Sequence, residues 1–150
     1  MGLVSEAGMP AVADPGSSVV RAAHALGARV VPLVGPVSLL LTLAASGLNG
    51  QNFAFVGYLP QDASERAQRV RALEAMALKN GQTQLFIETP YRNAALWQAL
   101  LQTLQPSTQL TCAAGLTLAQ ASIHTRSASQ WRRQAIPVDN RTPAVFAIGG

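Results

Sequence analysis

The start of the chain narrows its folding options most: Leu3-Val4-Ser5-Glu6-Ala7-Gly8-Met9-Pro10-Ala11-Val12-Ala13-Asp14-Pro15-Gly16. The chain opens on a short apolar run, Met1 to Val4, and Met1–Ser5 reads as a strand. Small residues and two prolines then end it. Asp14-Pro15 reads as a helix start, because Asp is a favoured cap and Pro is tolerated at the first helical position. The apolar face resumes at Val19, Val20, Ala23 and Leu26, and Gly27 closes the helix. The unit is therefore strand, tight loop, helix. Gly8 and Ala7 carry little side chain, so a ligand can approach the loop closely. In open α/β sheets ligands sit beyond the carboxyl ends of strands, where this loop falls. The bland alternative is a plain strand-to-helix connection.

The next segments repeat the pattern. Arg29 to Val34 is apolar and β-branched and reads as a second strand. Gly35-Pro36-Val37-Ser38 opens a helix that Gly47 ends. Two strand-to-helix loops, 5–14 and 34–38, would then open on one edge of a parallel sheet. Two strands and two helices are too few for a self-sufficient parallel domain, so the expectation is a fragment lacking an N-terminal portion. The polar stretch Leu48 to Asn52 is taken as a domain boundary, giving 1–50 and 51–150.

The second region alternates likewise. Strands are expected at Phe53–Leu59, Thr83–Glu88, Gln109–Ala114 and Pro143–Ile148. Helices are expected from an Asp62 or Ser64 cap to Lys79, stopped by Asn80-Gly81, and from Thr89-Pro90 to Leu104. Leu116 to Arg126 reads as extended with a bend. Ser129 to Arg133 reads as a helical turn, with Trp131 a core anchor. The expected class is α/β: an incomplete parallel-sheet domain followed by a mixed-sheet domain.

Composition removes several classes. The chain has 150 residues, 49% hydrophobic and 12% charged, which suits a packed core. No run reaches the roughly 18 apolar residues of a membrane helix, and no basic-then-apolar leader opens the chain. One cysteine, Cys112, excludes an internal disulfide and fits a reducing cytoplasm. His24 and His124 lie in no metal-spacing motif. The net charge is +4, and its surplus falls after residue 50, almost entirely as Arg, whose planar fork suits phosphates. That fits an RNA or nucleotide partner and equally a solvated basic face.

The motifs, in order, resemble one family. Val4 to Gly16 resembles the "VSDAGTPxISDPG" signature of the tetrapyrrole (corrin/porphyrin) methylase superfamily, in its ribosomal RNA small-subunit methyltransferase I branch. Val30 to Ser38 is similar to "VVPLPGPSA", and Ala45 to Leu48 to "SAAGLP". Phe55 to Pro60 is similar to "FxGFLP", and Phe86 to Arg92 to "FYESPHR". The resemblance implies an S-adenosylmethionine-dependent methyltransferase with two α/β domains. It also implies a cytoplasmic homodimer with RNA or a ribosomal subunit as substrate, without metal or membrane. Carried over by motif, the cofactor contacts are Ala7, Gly8, Met9, Pro10, Val37, Ser38, Glu88, Leu116, Thr117, Pro143 and Ala144.

Methyl transfer from a sulfonium needs alignment of donor and acceptor. A ribose hydroxyl acceptor also benefits from a general base. Glu6 and Glu88 are the candidate bases; Tyr91 and Arg92 are candidates to position a phosphate or the acceptor. The chain departs from the branch where "ARELTKxxE" is replaced by Ala113 to Ala121, with Ala114, Gly115, Leu118 and Ala121 in place of charged residues. Met9 stands where Thr is usual. These departures point to a divergent paralogue. The alternatives are C-methylation of a corrin or porphyrin precursor, whose enzymes carry "GDP" at the position of Gly8-Met9-Pro10, and a non-catalytic cofactor-binding or dimerisation module.

Overall fold

The computed structural model describes residues 1–6 and 8–150; Ala7, one of the expected cofactor positions, lies outside the described residues. The chain divides into two compact units, Met1–Ser38 and Leu39–Gly150.

The first unit holds one helix, α1 (Ser17–Ala25), capped by Gly16 without a side-chain hydrogen bond. The helix starts after Asp14-Pro15 rather than at it. The reason lies in the preceding loop, where the Ala11 N–H donates to the Pro15 carbonyl at 3.2 Å and Ala11 and Ala13 take positive φ of 65° and 54°. That turn consumes the residues expected to begin the helix. The strands expected at Met1–Ser5 and Arg29–Val34 do not form among the described residues. A strand is stabilised only by a paired neighbour and a buried face. Here Val4 and Val34 are exposed, and α1 buries no residue.

The second unit carries the core. After α2 (Ser38–Ser46) come β1 (Phe53–Tyr58), α3 (Ala63–Asn80), β2 (Thr83–Ile87), a single 3-10 turn (Pro90–Arg92) and α4 (Asn93–Thr103). β3 (Gln109–Ala114), β4 (Ser122–Ser127), α5 (Ala128–Trp131) and β5 (Ala144–Gly149) complete it. The five strands form one sheet in the order β1-β2-β5-β3-β4. β1 and β2 are parallel, as a strand–helix–strand crossover requires; the other pairs are antiparallel. The mixed sheet expected from the sequence is thus present.

Local signals explain most boundaries. Asp62 caps α3, its carboxylate accepting the Ser64 and Glu65 N–H groups at 2.9 Å. Gly81 ends α3 at φ 62°, a conformation that residues with a Cβ rarely adopt. α3 and α4 pack on one sheet face, and their Val70, Leu73, Leu96, Trp97 and Leu100 close over Phe86, Cys112, Phe146 and Ile148. Trp131 joins this layer, 5.0 Å edge-to-face from Trp97, and donates its indole N–H to the Leu110 carbonyl at 2.7 Å. Thr111 alternates with Leu110 and Cys112 and points to the other face. There Thr125 Oγ1 meets Thr111 Oγ1 and donates to the Ser46 carbonyl, tying the end of α2 to the sheet. Cys112 is buried and desolvation pushes its thiol up to about 12, so it is an inert core atom rather than a nucleophile.

Part of the arginine surplus is structural. Arg132 donates to the Leu101 and Leu104 carbonyls at the end of α4, and Arg126 lies 4.9 Å from the Trp131 ring. Among the described residues, no helix is long and apolar enough to cross a membrane.

Candidate functional site

Antiparallel pairing decides which loops share a sheet edge. Ile87 lies opposite Val145, and Ala114 opposite both Ala144 and Ser122. The carboxyl ends of β1, β2 and β3 therefore open on the same edge as the first residues of β4 and β5. On that edge the fold gathers Glu88, Tyr91 and Arg92 after β2, Leu116 and Thr117 after β3, and Pro143 and Ala144 at the start of β5.

Glu88 is buried, and one of its oxygens is heavily used. Oε1 accepts from the Thr89 N–H at 2.8 Å, the Thr89 hydroxyl at 3.2 Å, Arg92 Nε at 3.1 Å and Arg92 Nη2 at 2.8 Å. The ion pair is uneven: the Glu88 side chain is 2% exposed and the Arg92 side chain 26%. The Arg92 guanidinium also lies 5.2 Å from the centroid of the exposed Tyr91 ring. An oxygen engaged by four donors is poorly placed to take a proton from a substrate, so Glu88 fits an anchor for Arg92 better than a base.

The turn after β3 is tight. Gly115 takes φ 62° and Thr117 φ 71°. The Gly115 N–H donates to the Pro143 carbonyl at 3.0 Å, and a Cβ added at Gly115 would stand 3.3 Å from Thr142 Cγ2. This crowding explains the glycine where the related motif has a charged residue. Thr117 is exposed and Leu116 half-buried.

Residues 139–142 form a closed loop before β5. The Asp139 carboxylate is held below its usual range by the Arg141 N–H, then by the Thr142 N–H and hydroxyl. A carboxylate with a depressed native value stabilises its loop above the ordinary value and loses that contribution as pH falls through the native one. The Arg141 and Thr142 amide resonances should therefore shift in acid with a midpoint below 3.8, Asp139's ordinary value. A midpoint at or above that value in an NMR titration would refute the caged carboxylate.

Asn93, which sequence reasoning passed over, is fully buried at the first position of α4. Its side-chain amide donates to the Thr142 carbonyl at 2.9 Å and the Asp139 carbonyl at 3.2 Å. The signal was available: Asn93 precedes Leu96 by three and shares its inward face.

In the first unit, a Cβ placed on Gly8 would stand 3.9 Å from the Pro36 carbonyl oxygen, so the 8–16 and 35–38 loops approach one another. Gly8, Met9 and Pro10 are half-buried, Val37 is buried, and Glu6 and Ser38 are exposed. The left-handed Ala11 and Ala13 make this loop a strained one, and such strain gathers at ligand-binding loops.

The fold is shared with solved structures. The methyltransferase CobJ matches at TM-score 0.57 and 20% identity, over 95% of this chain and 61% of that one. A uroporphyrin-III C-methyltransferase of Thermus thermophilus, solved with S-adenosylhomocysteine, matches at TM-score 0.52 and 17% identity, over 94% of this chain and 62% of that one. At such identities the likeness is one of fold. No family model matches.

Sequence relatives are more specific. "Ribosomal RNA small subunit methyltransferase I" of Pseudomonas aeruginosa is 42% identical over 90 residues, 60% of this chain and 30% of the relative. Its counterparts in Vibrio cholerae and Escherichia coli O157:H7 are 37% and 34% identical over 77% and 81% of this chain, and 38% and 41% of theirs. In sequence the chain is similar to these ribosomal RNA small-subunit methyltransferases I, and it spans about a third of their length.

Proposed function

We propose that the chain carries part of an S-adenosylmethionine-dependent methyltransferase that acts on RNA. The observation that carries this reading is the 34–42% identity to ribosomal RNA small-subunit methyltransferases I. The sheet edge supports it chemically. Leu116 is half-buried and Thr117 and Pro143 are exposed there, which leaves them accessible to a ligand with both polar and apolar parts. In this reading the cofactor positions of the second unit are Glu88, Leu116, Thr117, Pro143 and Ala144. Taken by itself, the first unit carries the motif positions Ala7, Gly8, Met9, Pro10, Val37 and Ser38. The cofactor supplies an electrophilic methyl group. The chain supplies orientation, with Tyr91 and Arg92 steadying a phosphate or the acceptor. Of the two candidate bases, Glu6 is exposed and Glu88 is engaged. We also propose cytoplasmic, homodimeric action, in keeping with the single thiol and the family.

Calorimetric titration with S-adenosylhomocysteine tests the cofactor part; saturable one-to-one heat is expected. Transfer of a labelled methyl group to small ribosomal subunits is expected next. Label appearing only in a uroporphyrinogen-type acceptor would reject RNA in favour of C-methylation. Absence of any cofactor heat would leave the non-catalytic module.

A further inference from the structure

We infer that Asn93 is a positioning residue: its two amide hydrogen bonds hold the 139–143 loop, and through it the Gly115–Thr117 turn, in the arrangement that takes the cofactor. This rests on the reading of Leu116, Thr117, Pro143 and Ala144 as cofactor contacts.

Pro143 has no N–H to give to the sheet, so the ladder stops short of it. The main chain just outside the ladder must be held by other means. Asn93 holds it from below by donating to the Asp139 and Thr142 carbonyls. The loop reciprocates, since Asn140 Oδ1 accepts the otherwise unpaired Ala94 N–H of the first turn of α4 at 3.0 Å. Thr142 is thus fixed between Asn93 and Gly115, whose N–H is taken by the next carbonyl, Pro143. One buried amide sets the spacing between the residues beside Arg92 and the turn after β3.

Stability alone does not ask for asparagine here. Asn93 shares its face with Leu96, Trp97 and Leu100, and its Oδ1 is buried without a partner. A leucine of similar size would fill the same space and remove the unpaired acceptor. The Asp139 and Thr142 carbonyls it strips of a donor belong to an exposed and a half-buried residue, where water can take the donor's place. The asparagine therefore serves the loop more than the core.

The decisive variant is Asn93→Leu, with the exposed Asn140→Ala as a second that cannot disturb the core. Two quantities are read: amide hydrogen exchange at Gly115, which needs no ligand, and S-adenosylhomocysteine affinity. In Asn93→Leu, Gly115 exchange should rise about tenfold while the Phe146 and Ile148 amides of β5 keep their protection. Affinity should fall about tenfold, with little change in Tm. Asn140→Ala should show the same pattern, smaller. Unchanged Gly115 exchange in both variants would overturn the inference. So would faster exchange with unaltered affinity, since the clasp would then be structural only. Should the unmodified chain bind no S-adenosylhomocysteine, the cofactor reading fails and the inference loses its cofactor part; the exchange data still decide whether Asn93 holds the turn.

Discussion

Replacing Phe146 by alanine should cost about 3–5 kcal/mol of folding stability, the range for truncating a large buried aromatic. Phe146 lies in β5, the central strand, with β2 on one side and β3 on the other. It is fully buried, 6.1 Å from the Phe86 ring and 6.2 Å from Trp97. Those neighbours belong to a strand and a helix that are themselves fixed, so the cavity has little means of collapsing. Against a total of roughly 5–15 kcal/mol for a domain, the loss is large. Phe55, on edge strand β1 and 37% exposed, gives the contrast. Its truncation should cost under about 1 kcal/mol, because water already reaches part of the ring. Urea unfolding separates the two, with the midpoint falling and the slope kept. A Phe146→Ala loss as small as that of Phe55→Ala would mean that the layer between sheet and helices is not the core.

The second unit was legible because its signals are local and agree with one another. Asp62 and Gly81 bracket α3, and the apolar runs of β2, β3 and β5 are short and bounded by turn residues. Trp131 was legible as an anchor because a lone large aromatic in a polar stretch needs burial. The first unit was less legible for a physical reason. Met1–Ser5 and Arg29–Val34 have strand-like composition, but composition does not supply a hydrogen-bonding neighbour. The start of α1 was misplaced because left-handed Ala11 and Ala13 form a turn that no side-chain pattern announces. The candidate site was half visible. Its motif residues could be named from the sequence, yet their meeting at one edge depends on antiparallel register. The Asn93 clasp depends on contacts across 46 and 49 positions, beyond the reach of helical periodicity.

Of the two partners in the Glu88–Arg92 pair, removing the arginine should do more harm. Arg92→Ala leaves a carboxylate that is 2% exposed with only the Thr89 N–H and hydroxyl as donors. Stripping one partner from a nearly buried ion pair costs about 3 kcal/mol or more, because the remaining charge has neither water nor a counter-ion. Glu88→Ala leaves a guanidinium that is 26% exposed and able to recover water, so about 1–2 kcal/mol is expected. The double variant removes both charges and should cost less than the two singles added together, by about 1–2 kcal/mol of coupling. Urea unfolding of the three variants measures all of this. Equal costs, or additive ones, would show that the carboxylate is not held by the arginine. In the cofactor titration Arg92→Ala should also weaken binding more than Glu88→Gln. The glutamine keeps an oxygen for the Thr89 and Arg92 donors, whereas loss of the arginine frees the carboxylate and, with it, the strand end on which the other edge loops are set.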